Sequence, residues 1–232
     1  MKKILRSITL IAISYYCAAC TTINVDHIVL EENLNVRDGD GVVILGRHHS
    51  AEIETEFSLV DCLGGQLKRS VTNLKIIPET QFVDDFYPWF EARTAPQHPL
   101  KMRKIFDQPG VSERIEELGI RFFVWVEGST ERTNSQGSMS CAVGPTGGGC
   151  FGLGVWEDTS DYETTIWDIN DFKEVGRIST EAVGTSYMPA FVIPIPLLAR
   201  VESDSCRGMS NQLVSFFESK GSEIKRVERA AN

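Results

Sequence analysis

The chain has 232 residues, of which 42% are hydrophobic, and its formal net charge at pH 7 is −9. This length is enough for one α/β domain, or one and a half, to bury a core of its own. The acidic balance argues against a nucleic-acid partner, because phosphate binding needs clustered lysine and arginine side chains.

The first twenty residues predict an export signal that ends in a lipid-anchor site. Three basic side chains open it, a short apolar stretch follows at 8–16, and the small residues Ala18 and Ala19 stand directly before Cys20. The apolar stretch, roughly 10 residues long, is too short for a membrane-spanning helix. The segment resembles the signal of bacterial envelope lipoproteins. The resemblance implies cleavage before Cys20, acylation of Cys20 with palmitate as membrane anchor, and, because Thr21 follows, sorting to the outer membrane.

Beyond the signal at 1–19, the composition predicts three further regions. Residues 20–40 are polar and rich in turn residues, which is typical of a lipid-anchored tether, and residues 41–219 carry the periodic apolar patterns of a single α/β domain. The charged end at 220–232 predicts a flexible tail.

The cysteines of the exported part predict disulfide bonds. Four remain after Cys17 and Cys20, namely Cys62, Cys141, Cys150 and Cys206. An even number in an exported chain suggests disulfides, and four cysteines allow three pairings. Cys141 and Cys150 bracket a turn rich in glycine, which makes them the natural pair and leaves Cys62 for Cys206. Neither the spacing of these cysteines nor the adjacent pair His48 and His49 suits a metal site. No cofactor is expected.

Strands and helices are predicted to alternate in the first half. In chain order they are an irregular segment at 21–40, a strand at 41–46, an amphipathic helix beginning at 51, a strand at 74–78, a helix at 79–92 that Pro88 must bend or end, a loop at 95–99, a helix at 109–118 and a strand at 120–127. The last strand is apolar on both faces, so we expect it in the middle of a sheet that is covered on both sides.

The second half is predicted to be richer in strands. Residues 138–143 and 150–157 suit one hairpin, and 162–168 and 174–184 suit another. An apolar extended stretch from Pro189 and a helix capped by Ser203 or Asp204 follow. Together these elements predict a three-layer α/β sandwich around a mixed sheet, with hairpins in the second half and a C-terminal helix.

Two stretches carry a resemblance to known envelope proteins. The run from Arg114 to Gly128 combines a helix, Leu-Gly and a buried strand, and 164–176 combines a strand, Asp168, a turn and Glu-Val-Gly. This order resembles lipoproteins of the curli-export type and the amino-terminal domain of TolB. The resemblance implies an α/β sandwich that binds partners or assembles rather than one that catalyses.

The sequence lacks the G-x-S-x-G nucleophile motif and the lysine of a phosphate-binding loop. His48 and His49 follow the first strand, where α/β proteins often place ligands, and with Asp61 or Asp168 they could form an acid–base site.

We therefore expect a non-enzymatic, periplasm-facing lipoprotein of the outer membrane that serves as a binding or envelope-assembly module. Its partners would be the membrane, through Cys20, and an envelope protein. Two alternatives stay open: an oligomeric secretion-channel subunit that places 147–149 or 191–198 in lipid, and a periplasmic hydrolase that uses His48 or His49.

Overall fold

The structure is a computed structural model that describes residues 21–30, 34, 36–48, 54–145 and 147–218. Its strands are β1 (Thr21–Val29), β2 (Gly41–Gly46), β3 (Lys75–Ile77), β4 (Ile120–Gly144), β5 (Gly147–Asp168) and β6 (Lys173–Val192). Its helices are α1 (Phe57–Ser70), α2 (Glu79–Phe86), α3 (Pro99–Phe106), α4 (Val111–Leu118) and α5 (Val201–Glu218). The signal segment, His49 and the tail from 219 onward lie outside the described residues.

The six strands form one mixed sheet in the order β1-β6-β5-β4-β2-β3. Strand β2 is parallel to both of its neighbours, with Val43 opposite Ile77 of β3 and Phe123 of β4. Strands β4 and β5 follow each other through a short turn and run antiparallel, since Thr133 contacts Glu157 while Cys141 is joined to Cys150. The expected α/β class and mixed sheet are confirmed.

Residue contacts divide the chain into two compact units. The first, here called the hairpin unit, contains the described residues of 21–24, Thr130–Asp161 and Glu181–Ser205. The second, here called the sandwich unit, contains the described residues of Val25–Ser129, Tyr162–Thr180 and 206–218.

The sandwich unit has three layers because β2 and the start of β4 are apolar on both faces. Phe122 and Val124 face a core that α1 and α5 complete, whereas Phe123 and Trp125 face a second core with α2, α3 and α4. Both cores exclude water, and every residue from Phe122 to Val126 is buried. The expectation of a central strand covered on both sides is confirmed.

A glycine sets the junction between α4 and β4. Gly119 has φ +68°, the left-handed conformation with which helices commonly end, and its N–H bonds the Glu116 carbonyl at 3.0 Å. The chain therefore turns directly from the helix into the central strand.

Several boundaries differ from those expected. Residues 21–29 form β1 instead of an irregular segment, because β-branched residues are frequent there and Val25 and Val29 pack against the core. The first helix begins at Phe57, and α2 ends at Phe86, just before Tyr87 and Pro88.

The second half of the chain departs most from expectation. Strands β4 and β5 are continuous far beyond the predicted short hairpin, and α3 occupies the region after the predicted loop at 95–99. The long strands escaped prediction because the region from 129 to 138 is rich in glycine, serine, asparagine and glutamine, which sequence rules assign to loops. The C-terminal helix is confirmed.

Candidate functional site

The hairpin unit exposes an apolar surface, which we name the apolar tip. It consists of Val143, Phe151, Leu153, Phe191, Val192, Ile193, Ile195 and Leu198, whose side chains are exposed by 47% to 91%. Phe151 of β5 and Phe191 of β6 meet edge to face, with ring centroids 5.8 Å apart. Large apolar side chains scattered singly on a surface are common, but a contiguous group usually marks a site of interaction.

The chain after β6 folds back to complete this surface. Tyr187 and Leu197 exchange backbone hydrogen bonds of 2.8 and 2.7 Å, and Ala190 pairs with Pro194. The segment between them surrounds a cavity of about 330 Å³, which is lined by Pro189, Phe191, Val192, Ile193, Ile195 and Leu197. The prolines keep this segment extended, so its side chains stay at the surface instead of entering a helix.

The strands that carry the apolar tip lack charge. No charged side chain occurs at 133–156 or at 182–199. The disulfide bond between Cys141 and Cys150 crosses the hairpin there, with their Cα atoms 4.0 Å apart. A charge-free, cross-linked hairpin with exposed phenylalanines suits an apolar environment better than water.

Polar contacts begin where the charge-free region ends. Asp158 accepts hydrogen bonds from Trp156 Nε1 at 3.0 Å and from the Ser186 hydroxyl at 3.3 Å, and it pairs with Arg132 Nε at 3.4 Å. The Ser160 and Ser205 hydroxyls meet at 2.8 Å in the interior. These groups join β4, β5, β6 and the first turns of α5 within the hairpin unit.

The sandwich unit places His48 in a buried pair with Glu79. His48 Nε2 lies 3.1 Å from Glu79 Oε1, and the His48 ring stacks on Phe57 at 4.7 Å. The Gly46 N–H donates to Glu79 Oε2 at 3.4 Å. Burial raises the pKa of Glu79, against the opposing effects of His48 and the Gly46 N–H. The pair thus ties the end of β2 to the first residue of α2.

The two aspartates considered as partners of His48 have different positions. Asp168 is wrongly expected there: it pairs with Arg121 at 3.0 Å, and Arg121 also pairs with Asp40 at 2.7 Å, at the opposite end of β2. Burial acts to lower the pKa of Arg121, but the hydrogen bonds to Asp168 and Asp40 hold it above its usual value. Asp61 is exposed on α1 and only adds to the rise in the pKa of Glu79.

A second disulfide bond, between Cys62 of α1 and Cys206 of α5, lies in the sandwich unit, with the two Cα atoms 6.3 Å apart. Cys206 is buried, and both residues border the core that α1 and α5 complete. Cys20 lies outside the described residues.

Sequence reasoning missed Glu79 as the partner of His48 and missed Arg47 altogether. The contact between Glu79 and His48 could not be predicted because 31 residues separate the two. Only the parallel pairing of β2 with β3 brings them together. Arg47 follows β2 directly, at the strand end where α/β proteins often place ligands. This position alone could have indicated Arg47 as a candidate binding residue.

No described helix combines the length and apolarity needed to cross a membrane. No described group of three or more histidine, cysteine, aspartate or glutamate side chains is placed to hold a metal ion.

No family model matches the chain, and no curated protein matches it in sequence. Among solved structures, a point variant of PelC from Paraburkholderia phytofirmans, titled as a dodecamer, is 11% identical over 83% of this chain and 96% of that chain, with a TM-score of 0.37. Another PelC dodecamer from the same organism is 12% identical over 84% of this chain and 96% of that chain, with a TM-score of 0.33. At TM-scores this low, similarity does not establish a common fold.

Proposed function

We propose that the protein is a lipid-anchored module of the bacterial outer membrane whose apolar tip enters the lipid surface and whose sandwich unit serves a binding or assembly role in the periplasm. The observation that carries the proposal is the apolar tip on charge-free strands. A lipid surface is favoured over a protein partner because protein interfaces are rimmed by polar and charged groups, and this region carries no charged side chain at 133–156 or 182–199.

The position of the expected anchor also supports a lipid surface as the partner of the apolar tip. Cys20 stands directly before Thr21, the first residue of β1, and a side chain at Gly184 of β6 would come within 3.2 Å of Thr21 Oγ1. Further along, the Leu30 N–H bonds the Val175 carbonyl, so β1 runs antiparallel to β6. From Val29 back to Thr21, β1 therefore runs in the direction in which β6 runs to Phe191. In the proposed arrangement the lipidated Cys20 is the anchor, and the apolar tip adds a further contact with the same lipid surface.

The test is vesicle binding by the unlipidated chain beginning at Thr21. We expect it to sediment with vesicles of phosphatidylethanolamine and phosphatidylglycerol, and we expect the double variant Phe151→Ser, Phe191→Ser to bind at least about tenfold more weakly, because burying a phenylalanine contributes roughly 1.5–3 kcal/mol.

The matched control carries Tyr87→Ser and Leu100→Ser in the sandwich unit, where the side chains are 66% and 55% exposed. This control should bind like the parent. Equal losses in both double variants, or no binding by the parent, would contradict the proposal.

A second candidate is a subunit of an oligomeric secretion channel, with the hairpins of several copies inserted together. It is favoured by length: the charge-free parts of β4 and β5, residues 133–144 and 147–156, are 12 and 10 residues long, enough for the roughly 9 to 11 residues with which a strand crosses a bilayer. The mass of the detergent-extracted, lipidated protein separates the candidates. A monomer or dimer supports the anchored module, whereas a ring of about eight or more copies supports the channel.

A further inference from the structure

A second region, within the sandwich unit, has the features of a ligand site. It is a cavity of about 800 Å³ beside the end of β2, bordered by Arg47, Trp125, Trp167 and Glu127. Pockets that hold small organic ligands commonly have volumes of roughly 300–1,000 Å³. The cavity is therefore large enough to hold a small molecule.

Arg47 is fixed at the wall of this cavity. Its N–H donates to the Val126 carbonyl at 2.8 Å, and its own carbonyl accepts from the Thr55 N–H at 3.1 Å, so the backbone is held on β4. The guanidinium lies 3.8 Å from the centre of the Trp125 ring and 5.4 Å from that of Trp167. Packing against two indole rings sets the plane of the guanidinium before any ligand arrives.

The charge of Arg47 is buried and forms no ion pair with a described carboxylate, although the charge of Glu127 acts on it. The side chain is 5% exposed, and its one described side-chain hydrogen bond runs from Nη1 to the neutral carbonyl of Pro96 at 2.8 Å. Burial lowers the pKa of Arg47 to about 10, with Glu127 acting in the opposite direction, so the group stays protonated at neutral pH. A buried cation is costly unless an anion compensates it.

The other cations of the cavity are already compensated. Arg177 pairs with Glu174 at 2.9 Å and with Glu163 at 3.0 Å, and Lys173 pairs with Asp171 at 3.2 Å. Among the arginine and lysine side chains of this lining, Arg47 is thus the one that forms no ion pair with a described carboxylate. A planar carboxylate matches the donor geometry of a guanidinium better than a spherical anion does.

We propose that this cavity binds a small organic carboxylate, which pairs with the Arg47 guanidinium. Apolar lining from Pro99, Leu100 and Phe172 accommodates the body of the molecule. Thr165 and Gln97 add polar side chains to the lining. The inference is independent of the apolar tip, which belongs to the other unit.

The experiment is calorimetric titration of the purified chain with two carboxylates, D-glucuronate and hippurate, and with their neutral counterparts glucose and hippuramide. We expect saturable binding of at least one carboxylate and none of its neutral counterpart. The better of the two indicates whether a sugar acid or an acylated amino acid is the natural class. Failure of both carboxylates to bind, or equal binding of a carboxylate and its neutral counterpart, would overturn the proposal.

Variants test the role of Arg47 itself. Arg47→Met keeps the length of the side chain without its charge and should weaken carboxylate binding by about tenfold or more, because charge-assisted hydrogen bonds are lost. Arg103→Met is the matched control: Arg103 also lies over an aromatic ring, Phe172, at 4.7 Å, but it does not line the cavity. It should bind like the parent.

Glu127→Gln gives a test that does not depend on a change in the interior. Glu127 is exposed and is the carboxylate whose charge acts on Arg47. Removing that competing negative charge should tighten carboxylate binding severalfold. Unchanged or weaker binding in Glu127→Gln, or parental affinity in a folded Arg47→Met, would overturn the assignment.

Discussion

Strand β4 differs sharply between the two units through which it passes. In the sandwich unit its residues from Phe122 to Val126 are all buried, whereas in the hairpin unit every residue from 131 to 138 is exposed. The first stretch carries large aromatic and β-branched side chains, and the second carries glycine, serine and other small polar residues. A single strand thus combines the composition of a core with that of a surface.

The difference shows that apolar side chains have different roles in the two units. In the sandwich unit they are removed from water by helices on both faces of the sheet, so they stabilise the fold. In the hairpin unit Phe151 and Phe191 are 72% and 68% exposed, and their apolar area gains little from folding. We infer that the first group was selected for stability and the second for contact with other molecules.

The largest expected effect concerns the two disulfide bonds, one in each unit. Cys62 and Cys206 are separated by 144 residues, and Cys141 and Cys150 by 9. In the chain-entropy model, a bond that closes a longer loop restricts the unfolded chain more, which gives about 5 kcal/mol for the first and about 2.6 kcal/mol for the second. Urea denaturation of the double variants Cys62→Ala, Cys206→Ala and Cys141→Ala, Cys150→Ala measures both losses in the free energy of unfolding.

The hairpin pair serves as the control for replacing two cysteines by alanine. The free energy of unfolding could fall as much in the Cys141, Cys150 variant as in the Cys62, Cys206 variant. In that case the sandwich unit would not contribute most of the stability of the fold.

A smaller effect is expected from truncating one phenylalanine in each unit. Phe123 is fully buried between Phe82 and Phe106, with ring centroids 5.2 and 5.5 Å away. Phe123→Ala should lower the free energy of unfolding by about 3–5 kcal/mol, because it loses apolar burial and leaves a cavity.

The counterpart Phe151→Ala, at an exposed position, should change the free energy of unfolding by no more than about 0.5 kcal/mol. Thermal and urea unfolding in the absence of lipid measure both values. Similar losses in the two variants would remove the distinction between a stabilising and an interacting group of apolar residues.

The sandwich unit is also the part that sequence patterns predict well. A run that is apolar at every position, such as 122–126, is compatible with a strand covered on both faces, and the helical spacing around Val60 and Leu63 indicates α1. The hairpin unit is predicted poorly because its strands pair through backbone hydrogen bonds, which glycine and serine support as well as valine does. Sequence rules that depend on side-chain burial do not detect such strands.

The candidate sites were predictable only in part. The pattern of prolines and apolar residues at 189–198 indicated an apolar extended stretch, though not its exposure, and the turn between Cys141 and Cys150 indicated a hairpin. The contacts of Arg47 with Trp125 and Trp167 depend on parallel pairing and on the return of β5, which join residues more than seventy positions apart. No local pattern encodes contacts over such separations.

The smallest effect, and the one most specific to the sandwich unit, concerns Glu79. Burial raises the pKa of this carboxyl above its ordinary value of 4.5, Asp61 raises it further, and His48 and the Gly46 N–H oppose the rise. A carboxyl with a raised pKa binds its proton more tightly in the folded state. Its contribution to stability is therefore complete below pH 4.5 and is lost as the pH rises through the pKa of the folded state.

Glu79→Gln should remove that dependence while keeping an acceptor for His48, so the free energy of unfolding of the variant should fall less than that of the parent between acidic and neutral pH. Glu131→Gln removes one charge at an exposed position of the hairpin unit and controls for the change in net charge. Parallel pH profiles for the parent and Glu79→Gln would show that the buried pair does not couple protonation to folding.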